Sequence, residues 1–149
     1  MEGKDEVYCE EIDVGEEQPR TVMSGLRKFF SEEDLLNRKV VVITNLKPRR
    51  VGSFISNGMV ICAANADNTV VELVEPPQDA VVGETIQFEG LPEVVPDEDV
   101  NPNRKTSPWG KCADQLVVTE EGVAAFQDHA FVTAAGKCTV KSLKNVKLC

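Results

Sequence analysis

Three basic side chains lie close together near the middle of the chain, and their chemistry is that of phosphate binding. Lys47, Arg49 and Arg50 follow one another within four positions, and no Asp or Glu occurs between Leu35 and Ala66. The whole chain nevertheless carries a net charge of −9. Lysine and arginine neutralise phosphates and release counterions. A basic island in an acidic protein therefore indicates a local site for an anion rather than a general nucleic-acid coat.

Two buried strands are expected to hold this basic island in place. Residues 40–43 are a run of β-branched side chains, and residues 59–64 form a second apolar run. Pro48 interrupts the chain between them, because proline fixes φ and has no amide hydrogen. The pattern predicts a buried strand, a basic turn and a second buried strand.

The rest of the chain predicts short strands with two short helices. Ser31 followed by acidic residues predicts a helix anchored by Leu35 and Leu36, and Ser107 before Pro108 predicts a second helix. This layout is typical of a small barrel such as the OB-fold. Further strands are expected at residues 7–14, 20–24, 69–74, 84–88, 122–126 and 130–133.

Residue types that perform metal or covalent chemistry are scarce. The chain has one histidine, His129, and five cysteines without C-x-x-C spacing, and it lacks nucleophile and Walker motifs. We therefore expect free thiols in a reducing cytosol, no metal, no cofactor and no enzymatic activity. The N-terminus has no apolar stretch like that of a signal peptide, and no run approaches the ~18 apolar residues of a membrane span. These features predict a cytoplasmic protein without a membrane partner.

Several separate motifs resemble the tRNA-binding domain related to the endothelial-monocyte-activating polypeptide. That domain is found at the ends of some methionyl- and tyrosyl-tRNA synthetases and in their cofactor proteins. The motifs occur in the family's order over roughly residues 7–144. They are IDVG at 12–15, PRTVMSGL at 19–26, NLKP at 45–48, SNGMVICA at 56–63, PP at 76–77, VGE at 82–84 and NPNRK at 101–105.

The resemblance implies an all-β dominated fold with short helices. An OB-fold barrel is expected over residues 1–100, and a C-terminal extension over residues 101–149 is expected to pack on it. The implied function is a noncatalytic module that docks the backbone and shape of tRNA and delivers it to an aminoacyl-tRNA synthetase, either in trans or as an appended domain.

The same resemblance implies a set of residues that contact RNA. The positions that match the family's motifs are Asn45, Lys47, Ser56, Asn57, Met59, Arg104 and Lys105. Charge alone adds Arg49 and Arg50. Structural alternatives stay open: Asn45 and Ser56 would satisfy turn backbone groups, Met59 would fill the core, and Lys47 would be a solvated turn residue.

One part of the family pattern has no counterpart. The family's first barrel strand should precede Tyr8, where this chain has only MEGKDEV. Three possibilities follow: another part of the chain fills the gap, a second copy pairs with the open edge in a homodimer, or the chain is truncated. The alternative function is a protein-interaction or dimerisation module of a synthetase complex, which would dock through acidic residues 2–17 and that edge. Basic residues 137–147 are expected to form a flexible tail, or else a second RNA contact.

Overall fold

The computed structural model describes residues 6–93, 95–103, 105 and 108–148. Arg104, the predicted helix cap Ser107 and Cys149 lie outside the described residues. The helices are α1 (Glu32–Leu35) and α2 (Pro108–Ala113). The strands are β1 (Tyr8–Ile12), β2 (Arg20–Ser24), β3 (Val42–Ile43), β4 (Arg49–Val51), β5 (Phe54–Ser56), β6 (Met59–Val60), β7 (Cys62–Ala64), β8 (Val71–Leu73), β9 (Gln87–Phe88), β10 (Leu116–Val118), β11 (Ala124–Phe126), β12 (His129–Thr133), β13 (Gly136–Lys137) and β14 (Val146–Leu148). The predicted class, mostly β with short helices, is confirmed.

One large antiparallel sheet joins the middle of the chain to its C-terminal third. Its order is β13-β12-β11-β10-β14-β7-β8, and β9 also pairs with β12. Strand β14 lies between β10 and β7, so Lys147 is paired with both Val117 and Ala64. Over the described residues the two end strands, β13 and β8, do not meet, and the sheet stays open. The predicted flexible tail is wrong, because residues 136–148 contribute two strands to this sheet.

The larger hydrophobic core lies against this sheet and draws on both halves of the chain. Val118 and Val74 are almost fully buried, and each contributes about 1.5–3 kcal/mol relative to an exposed side chain. The segment after residue 100 therefore packs directly on the earlier strands, although the predicted division at that residue stays a prediction. The core residues are Val41, Ile61, Ala63, Val74, Leu116, Val118, Ala124, Phe131, Cys138, Val140 and Leu148.

A smaller core lies under the β1–β2 hairpin. Its residues are Val22, Leu26, Val60, Cys62 and Leu73. The hairpin pairs in one register from one end to the other, and β2 lies within the motif at 19–26. This core fixes β2 against β6 and β7, and β2 in turn supports the basic island.

The central stretch contains a hairpin where the sequence predicted a simple turn. Strand β4 pairs with β5, so that Arg49 faces Ser56 and Arg50 faces Ile55. The chain reverses at Gly52, whose φ of 64° is in the left-handed region that glycine enters at low cost. Strand β3 pairs with β6 outside this hairpin. The prediction of a turn is therefore wrong in this detail, and both arginines lie on a strand.

The first helix begins as its sequence predicts. The Oγ of Ser31 accepts a hydrogen bond from the backbone N of Asp34, and the Asp34 carboxylate accepts one from the backbone N of Ser31. This reciprocal capping box stabilises the first turn. Leu35 packs on the smaller core, whereas Leu36 is 74% exposed. The predicted anchor at Leu36 is wrong, because the helix ends one residue earlier and the chain there is extended.

Candidate nucleic-acid interface

The candidate site is centred on residues 47–56, which we call the basic hairpin. Lys47, Arg49 and Arg50 are all exposed. Among the ion pairs that join described residues, none includes any of these three side chains. Successive side chains of a strand point to opposite faces, so the side chains of Arg49 and Arg50 leave β4 on opposite faces of the hairpin, and both are exposed. The hairpin therefore offers unpaired positive charge in more than one direction.

Strand β2 is hydrogen-bonded to the C-terminal end of the basic hairpin. The backbone N of Met23 donates to Ser56 Oγ at 2.9 Å, and Thr21 Oγ1 donates to the carbonyl of Ile55 at 2.7 Å. The backbone N of Asn57 donates to the carbonyl of Thr21 at 2.8 Å. Ser56 is buried, and its hydroxyl already accepts this backbone hydrogen bond. The structure thus places the Ser56 side chain against β2, where it positions strand β5 of the hairpin.

Sequence reasoning missed a third arginine, Arg20, which organises this region. Its Nη1 donates to the carbonyl of Thr44 at 2.7 Å and to that of Asn57 at 3.2 Å. Its Nε and Nη2 bind the Glu16 carboxylate at 2.5 and 2.9 Å. These bonds raise the pKa of Arg20 and lower the pKa of Glu16. Arg20 joins β2 to both flanks of the hairpin, and its only signal in the sequence was an acid four positions earlier.

Asn45 connects the basic hairpin to an acidic segment, residues 97–100. Its side-chain Nδ2 donates to the backbone carbonyl of Asp97 at 2.9 Å, and its backbone carbonyl accepts from the backbone N of Val100 at 2.7 Å. The backbone N of Lys47 donates to the carbonyl of Val100 at 2.8 Å. Asn45 thus uses its amide to fix this segment. The three acidic residues at 97–99 are exposed, so the acid-free stretch of sequence has acids beside it in space.

The remaining predicted site residues lie in different surroundings. Met59, in β6, is half-buried and lines an open groove of about 310 Å³ together with apolar residues that include Met23 and Leu26. The side chain of Asn57 is half-buried, with Oδ1 3.4 Å from Arg20 Nη1. Lys105 is exposed, and Arg104, its predicted partner in the site, is outside the described part of the chain.

Other kinds of site receive little support from the residues that the structure describes. In that part of the chain, no group of three or more His, Cys, Asp or Glu is arranged to hold a metal ion. His129 lies with Nδ1 2.8 Å from the carbonyl of Glu89, as expected for a hydrogen-bonded structural histidine. None of the described helices is both long enough and apolar enough to cross a membrane.

Comparison with known proteins identifies relatives of this arrangement. The family described as "Putative tRNA binding domain" matches residues 1–85. A protein of Oryza sativa subsp. japonica named "Probable methionine--tRNA ligase" is 49% identical over 139 residues, which are 93% of this chain and 17% of that protein. The cytoplasmic tyrosine--tRNA ligase of Gallus gallus is 38% identical over 94% of this chain and 26% of its own length.

A solved structure matches over the full chain. The crystal structure of the C-terminal domain of Plasmodium vivax p43 has a TM-score of 0.91 and 32% sequence identity, and the match covers 100% of this chain and 88% of that one. The mouse aminoacyl tRNA synthase complex-interacting multifunctional protein 1 is 37% identical over 95% of this chain and 44% of its own length. This chain spans less than half the length of these curated relatives.

Proposed function

Because the chain belongs to the family of tRNA-binding domains, we propose that it is a noncatalytic module that binds tRNA through the phosphate backbone. One observation carries the proposal: Lys47, Arg49 and Arg50 are exposed on a hairpin, and none of them is in an ion pair within the described chain. A cation already paired with a carboxylate would have to break that pair before it could bind a phosphate. The basic hairpin meets no such cost.

The proposed contacts divide into those that bind and those that position. Arg49 and Arg50 can each give a bidentate contact to a phosphate, and Lys47 can act as a point charge. Arg104 and Lys105 would be a second anchor. Among the residues suggested by family resemblance, Asn57 and Met59 are proposed contacts on the flank of the hairpin. We assign Asn45 and Ser56 to positioning, since their polar atoms already hold backbone groups.

Recognition is expected to depend on the shape and charge of the RNA rather than on its sequence. Proteins that read single strands usually present aromatic side chains on which bases stack. This chain has few aromatic residues, and the basic hairpin contributes only the half-buried Phe54. Folded RNA can instead be recognised through its phosphates and 2′-hydroxyls. Affinity should therefore differ little from one tRNA to another.

The proposed setting is beside an aminoacyl-tRNA synthetase in the cytoplasm. The relatives include two ligases, in which the matched region is a small part of the protein. The module would increase the local concentration of tRNA near such an enzyme, either as an appended domain or as a separate subunit. A homodimer through the free edge of β1, which pairs only with β2 among the described strands, stays a prediction.

The experiment that tests the proposal is a titration of unfractionated tRNA at low and high salt. Wild type should bind at low salt and lose affinity steeply as salt rises, because phosphate contacts release counterions. The double variant Lys47→Glu with Arg50→Glu should lose this binding while remaining folded. Equal wild-type affinity at both salt concentrations, or unchanged binding by the folded variant, would show that the basic hairpin is not a phosphate site.

A further inference from the structure

A second groove lies beside Asn45, and its lining differs from that of the groove lined by Met59. It encloses about 250 Å³ between the turn, the acidic segment and α2. Ile43, Leu46 and Val100 provide apolar walls, and Trp109 and Asp97 also line it. A tryptophan and an acidic residue thus line the same largely apolar groove. We call it the Trp109 groove.

The walls of this groove are held by backbone hydrogen bonds. Leu46 and Val100 form a parallel β-bridge, flanked by the bonds from Lys47 N to Val100 O and from Val100 N to Asn45 O. On the opposite side, half-buried Trp109 packs against the larger core. A groove built in this way is already formed before a ligand binds, so little ordering cost reduces the affinity.

The charge around the groove indicates what it can accept. The three acidic residues at 97–99 are exposed, and the ion pairs between described residues include none of them. A phosphate-bearing nucleotide would be repelled by these carboxylates. A cation on an apolar stem fits the same surroundings, because its methylene groups can lie on the apolar walls while its charged end meets the carboxylate.

We propose that the Trp109 groove binds an arginine side chain of a protein partner. The guanidinium would stack on the indole of Trp109 and donate hydrogen bonds to the carboxylate of Asp97. Arginine is preferred over lysine because its planar group can do both at once. The groove shares Asn45 with the support of the RNA site, but Trp109 and Asp97 are not among the proposed RNA contacts. Its occupant also has the opposite charge, so the two proposals can fail independently.

The single tryptophan of the chain provides the measurement, since its fluorescence reports directly on the groove. The probe is the peptide acetyl-Gly-Arg-Gly-amide, compared with the same peptide carrying citrulline, which has nearly the same shape but no charge. We expect a saturable change in emission with the arginine peptide, with a dissociation constant on the order of millimolar. We expect no such change with the citrulline peptide.

Two variants locate the effect. Asp97→Asn removes the charge but keeps the backbone carbonyl that Asn45 binds, so the segment should stay in place. It should weaken binding of the arginine peptide by roughly tenfold. The matched control is Glu120→Gln, an exposed acid that does not line the groove, and it should bind like wild type.

Three results would overturn the proposal. These are an equal response to both peptides, no response to the arginine peptide, and a response that Asp97→Asn leaves unchanged. Adenosine, which has a base but no phosphate, tests the competing occupant. A change in Trp109 emission with adenosine but not with the arginine peptide would assign the groove to a nucleobase. The tRNA titration of the preceding subsection is measured separately and does not depend on this outcome.

Discussion

The number of phosphates that the protein binds can be measured from the salt dependence of binding. Five cations are proposed to bind: Lys47, Arg49 and Arg50 of the basic hairpin, and Arg104 and Lys105 of the second anchor. Each phosphate contact contributes about −0.7 to −0.9 to the slope of log K against log salt, so five contacts give a slope of about −3.5 to −4.5. Between about 50 mM and about 200 mM salt, the affinity of wild type should fall roughly 130- to 500-fold.

The perturbation is the double variant Arg49→Gln with Arg50→Gln. It removes two of the five charges, so the slope should fall to about −2.1 to −2.7 and the loss of affinity over the same salt range to roughly 20- to 40-fold. Both side chains are exposed and outside the ion pairs of the described chain, so the fold should be unaffected. Glutamine retains hydrogen-bonding groups, which isolates the effect of charge.

The assay is the binding of labelled, unfractionated tRNA at several salt concentrations. The matched control is Lys144→Gln with Lys147→Gln, which makes the same change of charge at two exposed lysines near the C-terminus. The control should keep the wild-type slope. A wild-type slope in the arginine variant would refute the reasoning about the hairpin. A reduced slope in the control alone would instead assign the phosphate contacts to the C-terminal lysines.

Three further predictions concern stability and reactivity. Gly15 has a φ of +82°, and a Cβ there would lie 2.7 Å from a backbone Cα. Gly15→Ala should therefore lower the free energy of unfolding by about 1–3 kcal/mol. The control Gly25→Ala places its Cβ in open space and should change the free energy of unfolding by less than about 0.5 kcal/mol. Equal urea midpoints for the two variants would contradict this. Burial raises the pKa of Glu72, but hydrogen bonds from the loop before β14 lower it more, and its pKa lies below the usual 4.5. The carboxylate thus stabilises the fold above about pH 4.5, and this stabilisation is lost as pH falls through the folded pKa. In Glu72→Gln the midpoint temperature of unfolding should therefore fall less steeply with decreasing pH than in wild type. The same steepness in both proteins would disprove this. Burial raises the pKa of the Cys138 thiol to about 11, whereas Cys9 is exposed. Alkylation, followed by mass spectrometry, should therefore be much slower at Cys138 than at Cys9. Equal labelling rates at the two cysteines would contradict this.

The sequence was sufficient to predict the elements that are formed by residues close to one another along the chain. The capping box at Ser31 involves residues three positions apart, and both partners are visible in the sequence. The hairpin of β1 and β2 follows from two strand-forming stretches and the polar loop at residues 15–19 between them. The mostly β class follows in the same way, because β-branched runs and turn residues recur along the chain.

The detailed geometry of the candidate site could not be predicted, because it depends on contacts between distant residues. Asn45 and Asp97 are 52 positions apart, and Arg20 and Asn57 are 37 apart. No spacing rule connects such pairs. No local signal in the sequence therefore connects the acidic segment to Asn45, and Arg20 was expected only as a residue of the strand at 20–24.

The sequence by itself determined that this chain is a mostly β domain with a basic island, and its ordered motifs identified the family. Residue type and short-range spacing are enough for such conclusions, since they decide charge, strand propensity and capping. Only the tertiary structure decided that Arg49 and Arg50 lie on a hairpin supported by β2, and that acids lie beside that hairpin. The physical reason is that strand pairing and side-chain bonds to distant carbonyls form only when the two cores bring those segments together.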